Sequence, residues 1–306
     1  MPPFDLPNLA DQVLNLTPQQ GLGIPVALVG AVFLALGAQF QHRGVMKVED
    51  ELGGAARGLS RTQLIALLTR PSWLLGTLML ALAIAFQLTS LYLAPLIVVQ
   101  PLGAVALVIT ALVNARITGH KLDRLTIRSI AMCVGGVGIF VTIAAFVARE
   151  TAITDAQLLT VLVILGVVLI AAAIAFVVLR RRLKAIMYII AAGVLYGFVA
   201  TLAKVVINRI RTESFDLLTV TCIVALVAAT MLGAYFVQSA YASGPPDLVI
   251  AGLTVIDPLV AVAIGIVVLG ETSGAPLFAI IAFVVAGAIA IYGVFELAKH
   301  HPQIQR

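Results

Sequence analysis

Along the chain, long apolar runs alternate with short polar breaks. Runs long enough to cross a bilayer fall at about Gly21–Phe40, Trp73–Leu93, Pro95–Ala115, Thr126–Ala148, Leu158–Leu179, Ala185–Ile207, Leu217–Ala240, Leu248–Leu269 and Pro276–Leu297. At a rise of about 1.5 Å per residue, roughly twenty apolar residues cover the hydrocarbon core. No water is available there to satisfy backbone groups, so each run has to be a helix. The pattern predicts an all-α polytopic membrane protein with about nine transmembrane helices in one integral domain, 1–306. Only Leu93-Ala94-Pro95 separates the second and third runs, which predicts a tight helical hairpin. The longest polar stretch, Gln41–Ser72, reads as a solvated connector, and its last part, Arg61–Arg70, could form a short amphipathic helix.

The runs repeat. Leu91–Leu112, LYLAPLIVVQPLGAVALVITAL, aligns without a gap to Leu248–Leu269, LVIAGLTVIDPLVAVAIGIVVL. Among the identities are Leu96/Leu253, Pro101/Pro258 and Ala104/Ala261, and Gln100 stands where Asp257 stands. Ser90-Leu91-Tyr92 resembles Ser239-Ala240-Tyr241, and Gly30–Phe33 resembles Gly193–Tyr196, which sets Gln41 opposite Lys204. Two four-helix repeats are expected, 21–148 and 185–297, joined by a connecting helix at 158–179. The third and eighth spans are an odd number of crossings apart, so the copies run in opposite directions, as in many secondary transporters. The connecting span carries only Thr160 as a polar group and reads as a lipid-facing connector with no functional part.

Charge sets the expected orientation. Arg149, Lys204, Arg209 and Arg211 fall on one side, and the other 15 of the 19 basic residues on the opposite side. The side rich in Lys and Arg is the cytoplasmic one. The N-terminus is then outside and the C-terminus cytoplasmic, in the plasma (cytoplasmic) membrane. The first 20 residues hold no Lys or Arg, so Gly21–Phe40 reads as a retained span rather than a signal peptide.

Composition agrees. Hydrophobic residues make up 61% and charged residues 11% of the 306, against about 45–50% and 25% in soluble domains. The net charge of +5 lies in short loops, which excludes a nucleic-acid surface. Cys133 and Cys222 sit inside apolar runs, which disfavours a disulfide framework or a thiolate metal site. The four histidines lie outside the runs, and no HExxH, Gly-x-Ser-x-Gly or phosphate loop occurs. No enzyme activity and no cofactor are expected.

Asp257-Pro258 is the centre of the chemistry. A carboxylate at mid-bilayer costs about 3 kcal/mol or more and is rarely idle. Pro258 frees the carbonyl of Thr254 and Pro101 that of Ile97, because proline lacks an N–H and clashes four residues back. Two matched, interrupted helices would then meet at a central site. Asp257, Gln100 and the freed carbonyls could hold a small solute or a cation, with Asp257 as the one candidate metal ligand. The bland reading is a capped break, with Asp257 as N-cap and Pro258 at N1. Lys204 shares a helix face with Gly193, Gly197 and Thr201; it serves the site or snorkels to the outer surface. Its depth argues against a pair with Asp257. Gln87, Thr89, Ser90, Gln238 and Ser239 are read near the outer helix ends, lining an entrance or hydrogen-bonding between helices. Tyr196, Tyr235 and Tyr241 fit a pocket wall or an interfacial belt. Gly135, Gly136 and Gly138 read as packing, between helices or between the protomers of a homodimer. Glu271 and Glu296 lie at helix ends and read as interfacial.

Three stretches, FQLTSLYLAPLIVVQPLGAVALVITALVNARITGHKL, GVLYGFVATLAK and DPLVAVAIGIVVLGE, resemble the drug/metabolite transporter superfamily. Pro-Leu-Gly-Ala at Pro101–Ala104 and the nine-span layout are most similar to its magnesium-transporter-like (NIPA-type) branch. The resemblance implies a secondary transporter with two inverted halves around a central cavity, working by alternating access. It departs from the superfamily in having four spans per half rather than five. The Gly-Glu expected after the third span is Gly270-Glu271 in the second half but Gly119-His120 in the first. Magnesium transport would have to proceed with one clear intramembrane acid, although the ion prefers octahedral oxygen. A non-transporting accessory subunit, holding a partner through Gln41–Ser72, is the other expectation.

Overall fold

The computed structural model describes residues 18–52, 61–118, 124–148, 153–179, 185–213, 215–243, 246–273 and 275–299. Within them the chain is helical: α1 (Pro18–Leu52), α2 (Arg61–Leu68), α3 (Pro71–Leu93), α4 (Leu96–Val99), a 3-10 turn (Gln100–Gly103), α5 (Ala104–Thr118), α6 (Arg124–Val147), α7 (Asp155–Leu179), α8 (Ala185–Arg211), α9 (Leu217–Ser243), α10 (Pro246–Val267) and α11 (Leu277–Lys299). Among the described residues eight spans are long and apolar enough to cross a membrane. The remaining predicted span is α10, whose shorter apolar part is Gly252–Val267. The chain is an all-α, multi-pass membrane protein.

Two elements differ from expectation at the surface. Helix α1 runs beyond Phe40 to Leu52, and Arg61–Leu68 forms the short helix α2 where a solvated connector was the favoured reading. Gly53-Gly54, Gly119-His120 and the Arg180–Arg182 cluster lie outside the described residues.

In lipid, helices gain little from hiding apolar surface and hold together by close backbone approach. The chain provides for this with glycine. On α1, Gly23, Gly30, Gly37 and Gly44 recur every seventh residue along the face against α3. A Cβ at Gly23 would stand 2.5 Å from that of Ala94, and one at Gly44 2.7 Å from that of Trp73. These contacts run the two helices antiparallel, with Phe33 stacked on Phe86 at 5.4 Å. Helices α8 and α10 meet in the same manner but parallel: Ile189 faces Gly252, Gly193 faces Ile256 and Gly197 faces Val260. Gly193, Gly197, Thr201 and Lys204 are all buried, as their shared face predicts. Helices α6 and α11 cross antiparallel, Gly136 against Ala290 and Gly293 against Cys133. Gly135 and Gly138 face open space, so only the middle glycine of that patch packs within the chain.

The two proline-containing twins fold differently. In the first, α4 gives way to a 3-10 turn at Gln100–Gly103, and Pro101 lies inside it. In the second, α10 continues through Pro258. The expected matched pair of broken helices is therefore one interrupted helix and one continuous one. Asp257 is not an N-cap. A transmembrane helix tolerates proline where neighbours re-satisfy the freed carbonyl, and α8 lies along α10 at this level.

The α6–α11 seam yields a paired test. Gly136→Leu puts a side chain where a Cβ would already stand 2.6 Å from the Ala290 backbone nitrogen, and Gly135→Leu, one residue away, meets nothing within 4 Å. Overpacking of this kind costs about 1–3 kcal/mol. Thermal unfolding in detergent should show a lower midpoint for Gly136→Leu and an unchanged one for Gly135→Leu.

Candidate functional site

Pro95 creates the first notable feature. It pushes the preceding residue off helical angles, and Ala94 is extended, with φ −136° and ψ 156°. Helix α3 ends at Leu93 and α4 starts at Leu96. The last carbonyls of one and the first N–H groups of the other then need partners. They cannot be water, because Ala94, Leu96 and Ile97 are fully buried.

Two charged side chains supply those partners, both from the second half of the chain. The Lys204 ammonium of α8 donates to the carbonyls of Leu91 at 2.6 Å and Ala94 at 2.9 Å. The Glu271 carboxylate, just past α10, accepts from the backbone N–H of Leu96 and of Ile97, at 2.8 Å each. Lys204 is 3% exposed, so the snorkelling lysine of the sequence reading is instead a buried clamp. Glu271 is 4% exposed, which overturns its reading as interfacial. The turn that carries it passes through Gly270 at φ +69°, a left-handed conformation that favours glycine.

The same end of the bundle is tied further. Gln157, at the start of α7, donates its amide to the carbonyls of Val268 and Leu269. The expected connector began at Leu158, so this anchoring role was missed. Arg209 donates to Asp155 Oδ1 at 2.7 Å and Asp216 Oδ2 at 2.6 Å, joining α7, α8 and the start of α9. Asp216 also accepts from the backbone N–H of Thr219 at 2.9 Å. That bond, then the Arg209 guanidinium, holds the Asp216 carboxyl at about 2, below its ordinary 3.8.

Asp257 sits elsewhere. It is level with Gly193 and Gly197 of α8, so Lys204 stands roughly 10 to 16 Å further along that helix. Its Oδ1 is the one buried side-chain polar atom among the described residues with no hydrogen-bond partner. The phenol of Tyr196 lies within electrostatic reach of it. Gln100 is 5% exposed, at the head of the 3-10 turn, which packs against α10. Among the described residues no group of three or more His, Cys, Asp or Glu could hold a metal ion.

The other candidates are spread out. Thr254 donates its hydroxyl to Ile250 within its own helix. Gln41 donates to Thr77 of α3 at 3.0 Å. Ser90 bonds between helices, to the carbonyl of Gly23. Thr89 and Ser239 bond back to Ala85 and Tyr235 of their own helices. Gln87 is half-buried at the Lys204 end of the bundle, whereas Gln238 and Ser239 lie near the end of α9 furthest from Arg209, so the five residues expected at one outer entrance fall at opposite ends. The side chain of Tyr241 lies outside the described residues. An open groove of about 520 Å³ between α3 and α8 is lined by Leu88, Thr89, Tyr92, Ile207, Ile210 and Arg211. Of the residues singled out from sequence it holds Thr89 alone.

No family model and no solved structure matches the sequence. The chain is similar to an uncharacterized protein of Corynebacterium glutamicum, 27% identical over 253 residues, which cover 82% of this chain and 85% of that one. The likeness therefore spans most of the helical bundle.

The Asp216 cluster has a signed pH dependence. Its carboxyl is held lower in the folded protein, so its contribution to stability is fully present above about pH 4 and is lost as pH falls toward about 2. Thermal unfolding followed over that range should show the midpoint falling with pH. Asp216→Asn should flatten part of that fall.

Proposed function

We propose that this protein is a multi-pass secondary transporter of the drug/metabolite type. It moves a small solute or cation across the plasma membrane by alternating access, with its N-terminus outside. The unpartnered Oδ1 of Asp257 carries the proposal. Two acids inside the bundle differ: Glu271 is buried where the halves meet, and Asp257 is half-buried along the α8–α10 seam with its Oδ1 buried. Glu271 has both oxygens occupied by backbone N–H groups, as a structural carboxylate should. Asp257 has an oxygen with no partner inside a helix interface, at a cost of about 3 kcal/mol or more. A group held at that cost without a structural partner is available for a substrate or coupling ion. Tyr196, within electrostatic reach, and Gln100, on the 3-10 turn that packs against α10, are the polar candidates to complete such a site.

The arrangement of the halves supports the same reading. The start of the first twin, Leu96, lies against the end of the second, Gly265 and Glu271, as two copies of opposite direction would. The paired packing of α1 with α3 and of α8 with α9 is the other mark of a repeat. The sequence resemblance to drug/metabolite transporters points to the same class. A dedicated all-protein magnesium site would need several oxygen ligands, so magnesium, if carried, would pass hydrated.

Reconstituted flux tests the reading. Liposomes should be loaded with a panel that includes Mg²⁺, organic amines and small metabolites, with and without a pH gradient. Asp257→Asn should lower flux of the active substrate at least about tenfold, the loss of one charge-assisted contact. Its unfolding midpoint should hold or rise, because a buried charge is removed. Unimpaired uptake by folded Asp257→Asn would remove the mechanism.

A further inference from the structure

The bonds at the α3–α4 break have an unusual distribution. Every charged group that satisfies the break comes from the second half of the chain, and every backbone group satisfied belongs to the first. Lys204 holds the carbonyl side, at Leu91 and Ala94. Glu271 holds the N–H side, at Leu96 and Ile97. One half thus grips the other through four hydrogen bonds of 2.6 to 2.9 Å, all at one end of the bundle. The grip is buried: Leu91, Ala94, Leu96 and Ile97 are no more than 1% exposed.

A purely local device could have capped these groups. The chain uses residues from α8 and from the turn after α10, more than 100 positions away. Separating the halves at this end would break these four bonds of an ammonium and a carboxylate unless water entered with the movement. The bonds are therefore stable while the end is dry and replaceable once it is wet. Those are the properties of a gate.

We propose that Lys204 and Glu271 form the latch of a gate that closes this end of the bundle, with the α3–α4 break as its strike plate. Opening exchanges the four bonds for water and exposes α4, which runs directly into the 3-10 turn at Gln100. The latch rests on the transporter reading for its purpose, but its existence is measured without transport.

The probe is Val98→Cys, a conservative change on α4 at a position 2% exposed, with Cys133 and Cys222 replaced by alanine. The protein is held in lipid nanodiscs, where both ends are reachable, and treated with a water-soluble maleimide. The closed protein should label slowly. Adding Glu271→Gln or Lys204→Met should speed labelling at least about tenfold, the loss of one charge-assisted bond. A second arm closes the gate covalently. A Cβ built at Gly265 stands 3.7 Å from that of Leu96 and 3.0 Å from Oε2 of Glu271, and the first distance suits a disulfide. Leu96→Cys with Gly265→Cys should cross-link on oxidation, return labelling of the Lys204→Met protein to the slow rate, and release it on reduction. Unchanged labelling in both latch variants, in protein that remains monodisperse and helical, would overturn the proposal. So would fast labelling in the cross-linked protein. If labelling follows the latch while no substrate is carried, the gate stands and the transporter reading falls.

Discussion

A backbone group buried away from water has to find a partner, and in a membrane the obligation is stronger than in solution. At Pro95 the chain interrupts its own helical ladder in a place where nothing wet can reach it. Much of the architecture at that end answers the interruption. Lys204 and Glu271 are drawn inward from the second half, Gly270 bends the chain to deliver Glu271, and Gln157 secures the end of α10 from which that bend departs. The apolar surfaces of the helices do not by themselves fix how the halves meet. These polar contacts add direction and register to a packing problem that lipid leaves nearly neutral.

The second constraint is backbone proximity. Where glycine removes the side chain, the opposing helix seats a side-chain or main-chain atom directly on the backbone, and the separation is fixed. Helices α1 and α3 are joined this way over the length of the seven-residue glycine series, and α8 and α10 over a shorter stretch. Asp257 lies along the second of these seams, its carbonyl 3.0 Å from where a Cβ of Gly197 would stand. The Asp257 side chain is thus carried on a contact with little play.

Helix positions were legible from the chain because each run is uniformly apolar and bounded by polar residues. The break at Ala94-Pro95 was legible because proline acts on its own neighbours. The partners of the break were not. Lys204 and Glu271 bind main-chain atoms, and main-chain atoms leave no trace in residue identity. A lysine or glutamate near a helix end looks the same whether it reaches water or a buried carbonyl. Glu271 was visible as part of a Gly-Glu pair, yet nothing in hydropathy said that another segment would cover it. Pro258 misled in the opposite way. Its ring removes one bond from α10, and contact with α8 keeps the helix whole. The glycine series at Gly23, Gly30, Gly37 and Gly44 stood in plain view as a period of seven and identifies the α3-facing side of α1. Asp257 stood out by the simplest argument, that charge is scarce at mid-bilayer.

The close glycine seams carry a mechanical consequence. Helices in main-chain contact cannot slide a residue past one another without lifting apart, because each groove is filled by the opposing ridge. Each seam is therefore a keyed joint that holds α1 to α3 and α8 to α10. Flexure is left to the few places where the ladder is loose, Ala94 and the 3-10 turn at Gln100–Gly103. Both lie in the first twin, whereas α10 of the second runs unbroken past Pro258.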